Sequence, residues 1–206
     1  MAQINEGIRS VLGLPLVYKL FKLAIGRPTR YRAFIDEHVH AKAGDRVLDI
    51  GCGTADILEL LPDVDYIGFD VSPEYIASAR RRYGERGNFR CERLDASTSC
   101  ERGQYDIVLA LGVLHHLEDD EAVKLCTLAR EALRPGGRFV SIDGCFVDGQ
   151  SPVARYLLRR DRGRNVRTED GYRQLAQPVF PSVTSLVRHD LLRVPYTLVT
   201  MTCRAA

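Results

Sequence analysis

The sequence predicts an α/β domain built on one open, doubly wound and mostly parallel sheet. Three observations predict it. The length of 206 residues suits a single domain, short apolar runs alternate with helical stretches after residue 45, and two more runs follow near the end. Short buried-type strands separated by helices indicate βαβ units. The last two strands, at Val183–Val187 and Thr197–Met201, are expected to pair as a hairpin-like unit, with Pro195-Tyr196 restricting their connection.

Apolar periodicity predicts the central elements in order. The predicted strands are Arg46–Ile50, Tyr66–Phe69, Tyr105–Leu111 and Phe139–Ile142. The predicted helices are Ala55–Leu61, Pro73–Tyr83, Asp119–Leu133 and a short piece at Val153–Leu158. These elements account for most of the chain between residues 45 and 160.

The first 43 residues are also predicted to be helical. Leu16, Leu20 and Leu23 recur at i, i+4 and i+7, which is the spacing of one helix face. Gly26 and Pro28 are expected to end that helix, and a second helix is expected to follow.

Composition excludes several classes of protein. The formal charge is +2, from 29 basic and 27 acidic residues, so net charge does not indicate a nucleic-acid binder. The six cysteines contain no C-x-x-C pair, so we expect no metal site. No run of about 18 apolar residues is present, so no transmembrane segment is expected. Scattered cysteines and the absence of a signal-peptide pattern predict a cytoplasmic protein.

The segment Gly51-Cys52-Gly53, directly after the first strand, is the most informative one. Glycines there allow a tight turn and the close approach of a ligand to the backbone, and a following helix N-terminus would favour an anionic group. Asp70 comes 19 residues after Gly51, where a carboxylate accepts hydrogen bonds from ribose hydroxyls. Asp56 replaces the third glycine of the dinucleotide fingerprint, so the pattern favours an adenosine ligand without a pyrophosphate.

With Leu94-Asp95-Ala96 and the turn Leu133–Gly137, these motifs occur in the order and spacing of a known family. The chain resembles the class I S-adenosylmethionine-dependent methyltransferases, by motifs over residues 45–140. The resemblance implies a Rossmann-like sheet of seven strands with an antiparallel last strand. It also implies an enzyme whose cofactor is S-adenosylmethionine and whose product is S-adenosylhomocysteine.

The resemblance carries cofactor roles to individual residues. The expected cofactor-binding residues are Asp49, Gly51, Cys52 and Gly53 for the methionine part, Asp70 for the ribose, Val71, Asp95 and Ala96 for the adenine, and Leu111 beside the methyl group. A single domain spanning residues 1–206 is expected, with residues 1–43 as a helical lid that brings Tyr18 to the acceptor. Residues 144–180 are expected to form a substrate-recognition insertion.

The segment after the fourth strand indicates the acceptor class. It lacks the Pro-Pro-aromatic turn of amino-methylating nucleic-acid enzymes and the Pro-Cys nucleophile of cytosine enzymes. Its Val-Leu-His-His-Leu sequence, residues 113–117, resembles the branch that acts on small molecules and lipid-linked precursors, including quinone-biosynthesis-like enzymes. We therefore expect methyl transfer to oxygen or carbon, achieved mainly by aligning the acceptor with an already activated methyl group.

Three residues are candidates for acid–base work. His115 and His116 have a side chain suited to act as a general base near neutral pH. The alternative is that one histidine orients the loop and the other packs. Asp143, at the end of the fifth strand, is expected either to orient an acceptor hydroxyl or to cap a turn.

An arginine-rich segment, residues 159–167, is the second local signal. Its five arginines accompany one acid, Asp161. Guanidinium groups bind phosphate or carboxylate bidentately, so Arg164 and Arg167 are expected to contact the acceptor. One alternative is that these arginines form a solvated charged loop. Another is an RNA methyltransferase that binds RNA through this patch, although few aromatic residues lie among the arginines to stack on bases. None of the motifs indicates DNA binding. A non-catalytic cofactor-binding module is a further alternative. The sequence leaves the oligomeric state open, and a dimer contact or a membrane-surface element is the alternative to the lid for the N-terminal helix, with the lid preferred over the membrane surface.

Overall fold

The computed structural model describes residues 28–95, 102–161 and 163–206, and its centre is a mixed β-sheet. The strands are β1 (Arg46–Ile50), β2 (Asp65–Asp70), β3 (Asn88–Cys91), β4 (Tyr105–Leu111), β5 (Leu133–Phe146), β6 (Arg167–Thr168), β7 (Ser182–Arg188) and β8 (Leu198–Arg204). The helices are α1 (Pro28–His38), α2 (Pro73–Tyr83), α3 (Asp119–Ala132), α4 (Pro152–Arg159) and α5 (Glu169–Ala176).

Seven strands form one continuous path with the order β3-β2-β1-β4-β5-β8-β7, and the two-residue strand β6 pairs beside β5. β1 to β5 are parallel to one another, whereas β8 is antiparallel to both β5 and β7. The predicted doubly wound, mostly parallel sheet with an antiparallel last strand is confirmed. The predicted pairing of the last two strands is confirmed as well.

Hydrophobic cores cover both faces of the sheet. Successive residues of β4 point to opposite faces, so that Val108 lies in one core and Ile107 in the other. Leu125 of α3 packs on the first face, and Phe34 of α1 and Ile76 of α2 pack on the second. Helices on both faces are what makes the sheet doubly wound.

The C-terminal end of α1 is fastened to the sheet by Arg138 of β5. Its guanidinium donates to the carbonyl oxygens of Val39 at 2.7 Å and His40 at 2.8 Å. These donors satisfy carbonyls that a helix end leaves without partners. Of the predicted N-terminal lid, residues 1–27 lie outside the described part of the chain.

One helix prediction is wrong in type. In place of a helix over Ala55–Leu61, the chain forms a 3₁₀ turn at Asp56–Glu59, and Ala55 has a φ of 55°. Pro62 disfavours helical geometry at the residue before it, and Arg82 of α2 pairs with both Asp56 and Glu59, which holds the turn against α2. The expected anion-binding helix N-terminus after the glycines is therefore absent from this position.

Three of the described strands and helices were not predicted: the edge strand β3, the two-residue strand β6 and the helix α5. β3 has four residues, which is too short for a clear period-2 pattern. α5 is capped at its N-terminus by Thr168, whose hydroxyl accepts from the Gly171 N–H, and lies within residues 144–180, where only the short helix at Val153–Leu158 was predicted. Among the described helices, none is long and apolar enough to cross a membrane.

Candidate active site

The candidate site lies at the edge where the parallel strands β1, β2, β4 and β5 end. In open α/β sheets, ligands bind outside the carboxyl ends of such strands. Here that edge brings together the loop after β1, the end of β2 and the loop after β4. The segment after β5 completes it.

The loop after β1 has the backbone geometry that its glycines predict. Gly51 and Gly53 have φ values of 73° and 56°, which favour glycine. The Gly51 N–H donates to the Phe69 carbonyl at 2.7 Å, which fixes the turn against β2. A Cβ on Gly51 would lie 2.6 Å from a Val113 methyl carbon, whereas a Cβ on Gly53 would meet nothing within 4 Å among the described residues. The backbone at Gly53 is thus open to a ligand.

Asp70, the last residue of β2, faces this loop. Its Oδ2 accepts from the Gly53 N–H at 2.9 Å and its Oδ1 accepts from the Ser72 N–H at 2.8 Å. Burial raises the pKa of the Asp70 carboxyl, although these backbone hydrogen bonds lower it. A carboxylate offers about four acceptor positions, so two remain for ribose hydroxyls. The open backbone at Gly53 and the remaining capacity of Asp70 fit the adenosine cofactor that the sequence predicts.

The other predicted cofactor residues differ in how exposed they are. Val71 is 48% exposed beside Asp70, which suits packing against a flat base. Asp49 is buried under the glycine loop, where its Oδ2 accepts from the Tyr66 hydroxyl at 2.6 Å. The Cys52 Sγ packs towards Gly68 of β2. Leu111 is half-buried at the end of β4, Asp95 is exposed, and Ala96 lies outside the described residues.

On the acceptor side, His115 is held between two carboxylates. Its Nδ1 lies 2.6 Å from Asp143 Oδ1, and its Nε2 lies 3.3 Å from Asp161 Oδ1. The His115 backbone N–H also donates to Asp143 Oδ1 at 3.1 Å. Burial lowers the pKa of His115, but the hydrogen bonds to Asp143 and Asp161 outweigh this effect and raise it to about 10. His115 is therefore a cation at neutral pH, with both ring nitrogens in use.

The two carboxylates have different surroundings. Asp161 accepts from the Tyr196 hydroxyl at 2.6 Å and from the Gly163 N–H at 2.9 Å. Burial opposes ionisation of Asp161, but the hydrogen bond from His115 prevails, and the pKa of Asp161 falls below its usual range. Asp143 is fully buried, and burial raises its pKa despite the opposing effect of His115. We call His115, Asp143, Asp161 and Tyr196 the His115 clamp.

The backbone after Asp161 also packs tightly on His115. A Cβ on Gly163 would overlap the His115 ring and would lie 2.5 Å from the His115 carbonyl oxygen. The same carbonyl accepts from the Asn165 N–H at 3.0 Å. The arginine-rich segment is therefore joined to the loop after β4 by direct packing as well as by charge.

Arg167 uses all five of its N–H groups inside the protein. Its guanidinium donates to the carbonyls of Leu114, Leu117 and Asn165, at 3.0, 2.8 and 2.9 Å, and donates twice to Asp119. A guanidinium has five donors, so none remains for an acceptor. This geometry favours a role in which Arg167 holds the loop after β4.

The remaining candidates are only partly connected to the clamp. The His116 ring centroid lies 4.1 Å from that of His115, and His116 is half-buried. Arg164 is exposed, and Tyr18 lies outside the described residues. Sequence analysis named His115 and Asp143 as candidate site residues but did not name Asp161 and Tyr196. The available signal for Asp161 was that it is the one acid among five arginines.

His115 should make the stability of the protein depend on pH. Because its folded pKa is about 10 against an ordinary value of 6.5, the native state keeps a proton that the unfolded chain releases. This stabilisation is complete below about pH 6.5 and is lost as the pH rises through the folded pKa, at about 1.4 kcal/mol per pH unit. Urea unfolding at about pH 7 and about pH 9 should show this loss, and a His115→Gln variant should show a smaller one. Equal losses in the two proteins would contradict the prediction.

The strand order and the open glycine loop facing a carboxylate define an adenosine-cofactor-binding α/β domain. Comparison with known proteins gives the family. Residues 47–137 match the model of a family described as methyltransferase domain. Over these residues, which are less than half of the chain, the sequence is similar to the class I S-adenosylmethionine-dependent methyltransferases, whose cofactor is S-adenosylmethionine. No group of three or more His, Cys, Asp or Glu side chains suited to a metal ion occurs within the described ranges.

Two relatives show how far the sequence similarity extends. The ubiquinone biosynthesis O-methyltransferase of Idiomarina loihiensis is 30% identical over 111 residues, covering 51% of this chain and 44% of the relative. An uncharacterized 37.1 kDa protein in transposon TN4556 of Streptomyces fradiae is 34% identical over 158 residues, covering 71% of this chain and 45% of the relative. The chain thus spans less than half the length of these two relatives.

Solved structures show the same fold at low sequence identity. A geranyl diphosphate C-methyltransferase from Streptomyces coelicolor is 15% identical with a TM-score of 0.67, covering 86% of this chain and 77% of that one. The cyclase SpnF is 16% identical with a TM-score of 0.69, covering 85% and 80%. Because one of these proteins is named a cyclase, the fold alone does not fix the reaction.

Proposed function

We propose that this chain transfers the methyl group of S-adenosylmethionine to oxygen or carbon of a small molecule or lipid-linked precursor. The observation that carries the proposal is the open backbone at Gly53 opposite Asp70, on the same sheet edge as the loop after β4. Relatives named ubiquinone biosynthesis O-methyltransferase and a neighbour named geranyl diphosphate C-methyltransferase support an acceptor of this kind.

Cofactor binding is assigned to the glycine loop and the end of β2. The backbone of Gly51 and Gly53 contacts the methionine part, and Asp49 supports that loop from below through Tyr66. Asp70 accepts the ribose hydroxyls. The adenine packs on Val71, near Asp95 and Ala96, and Leu111 borders the methyl group. The sulfonium supplies a methyl group that is already activated, so the protein mainly orients the acceptor and excludes water.

Acceptor binding is assigned to the loop after β4 and the arginine-rich segment. His116 is the proposed general base, because both ring nitrogens of His115 already face carboxylates. Asp143 orients His115. Arg164, which is exposed, contacts an acidic group of the acceptor, and Arg167 keeps the loop in place. The N-terminal lid that the sequence predicts, with Tyr18, lies outside the described residues and stays a prediction.

Methyl transfer from radiolabelled S-adenosylmethionine into a fractionated extract of the source organism tests this proposal. Label is expected in the small-molecule or lipid fraction, and an Asp70→Asn variant is expected to lose it. Label in RNA would contradict the acceptor class and would favour an RNA methyltransferase. Cofactor binding with no label in any fraction would favour a non-catalytic module.

A further inference from the structure

The arginine-rich segment is attached to the sheet at three places. It leaves α4 at Arg159, returns at β6 through Arg167, and is held between these ends by Asp161. The Asp161 carboxylate joins the loop after β4, through His115, to the β7–β8 connection, through Tyr196. Three stretches of chain that are far apart in the sequence therefore meet at one carboxylate.

We propose that Asp161 and Tyr196 are positioning residues that hold the arginine-rich segment at a fixed distance from the loop after β4. They act through His115, and neither is proposed to touch the reacting atoms. The role in acceptor binding rests on the proposed function, whereas the attachment of the segment does not.

Packing and charge both support this role. Between residues 159 and 167, the side chains of Arg159 and Arg164 are exposed. Asp161 and Gly163 face inwards, and Gly163 packs on the His115 ring too closely for a Cβ. A stretch with several exposed side chains needs such inward contacts to keep one conformation.

Removing one carboxylate from the His115 clamp should destabilise the arrangement strongly. Removing one partner of a buried ion pair leaves the other charge without compensation, which destabilises the arrangement more than the loss of a surface pair. His115 is cationic and buried, so it needs the carboxylates on both sides. Loss of Asp161 is expected to release the segment while Asp143 continues to hold the ring.

Limited digestion with trypsin measures the attachment directly, because the segment contains its own cleavage sites. Cleavage after Arg160 and Arg164, identified by mass spectrometry, should be slow in the wild type. It should be at least about 10-fold faster in Asp161→Asn and also faster in Tyr196→Phe, because release of the segment lets the protease bind it. Cleavage in α2, after Arg81, serves as the internal reference and should not change.

Asp106→Asn is the matched control. Asp106 is also a buried carboxylate with an arginine partner, Arg134, but it lies at the start of β4, on the opposite edge of the sheet. This variant should leave cleavage after Arg160 and Arg164 at the wild-type rate. An equal increase in Asp106→Asn and Asp161→Asn would mean that general destabilisation, not the clamp, controls the segment, and would overturn the proposal.

Two further readouts separate positioning from a merely structural effect. In nitrogen-15 spectra, Asp161→Asn should lose the protected Nε2 proton signal of His115 and keep the Nδ1 signal, which Asp143 protects. In methyl-transfer assays with fractionated extract, the rate of transfer by Asp161→Asn should be at least about 10-fold lower than that of the wild type. The affinity of the variant for S-adenosylhomocysteine should stay within about 3-fold of the wild-type value. Unchanged cleavage and an unchanged Nε2 signal would overturn the proposal, whereas lack of transfer by the wild type would count only against the proposed function.

Discussion

Replacement of Asp70 by asparagine should raise the dissociation constant for S-adenosylhomocysteine by about 100-fold or more. The carboxylate accepts from the Gly53 and Ser72 N–H groups and is assigned the ribose hydroxyls. An asparagine NH₂ in place of either oxygen is a donor and cannot accept those bonds. Hydrogen bonds to a charged group contribute about 1.5–3 kcal/mol each, so the loss of two corresponds to about 100-fold or more. Isothermal titration calorimetry measures the change.

Asp65→Asn is the control for that experiment. Asp65 lies at the other end of β2, where it is exposed and pairs with the Arg46 Nε at 3.0 Å. Exposed ion pairs contribute little to stability, so this variant should bind S-adenosylhomocysteine like the wild type. Binding by Asp70→Asn within about 3-fold of the wild type would show that Asp70 does not hold the cofactor.

Replacement of Gly163 by alanine should lower the free energy of unfolding by about 3 kcal/mol, at the upper end of the usual cost of overpacking. The added methyl group would overlap the His115 ring and approach the His115 carbonyl oxygen to 2.5 Å, so backbone as well as side chain must move. Because His115 is fixed by Asp143 and Asp161, it has little freedom to move aside. Urea unfolding at neutral pH measures the change.

Gly149→Ala separates this overlap from the general effect of a glycine replacement. Gly149 has a φ of 66°, but a Cβ there would meet nothing within 4 Å. Only backbone strain is expected, at about 1–2 kcal/mol. If the free energy of unfolding falls no more in Gly163→Ala than in Gly149→Ala, the arginine-rich segment can move away from His115 at little energetic cost, which would contradict the prediction.

The sheet could be predicted from sequence because its signals are local. β1 and β4 appear as apolar runs with clear ends, and the structure gives them the predicted bounds, Arg46–Ile50 and Tyr105–Leu111. The glycine loop and Asp70 were found in the same way, since a tight turn and a strand end leave residue-level signatures. The turn at Asp56–Glu59 was mistaken for a helix because the pairing with Arg82 is not visible in a short window of sequence.

The clamp could not be predicted because its chemistry depends on contacts between distant residues. A histidine beside another histidine suggests a base, and only the approach of Asp143 and Asp161 turns His115 into a buried cation. Arg167 likewise belongs to a cationic run in the sequence. The structure places its donors on the carbonyls of Leu114 and Leu117, which the sequence could not indicate.

The ion pairs of the His115 clamp and the exposed side chain of Arg164 should differ in how strongly they respond to ionic strength. At physiological salt, charges in solvent are screened over about 8 Å, whereas a buried pair is screened far less. His115 and Asp143 are buried and Asp161 is half-buried, while Arg164 faces solvent. Concentrated salt should therefore weaken the proposed contact of Arg164 with an anionic acceptor without releasing the arginine-rich segment.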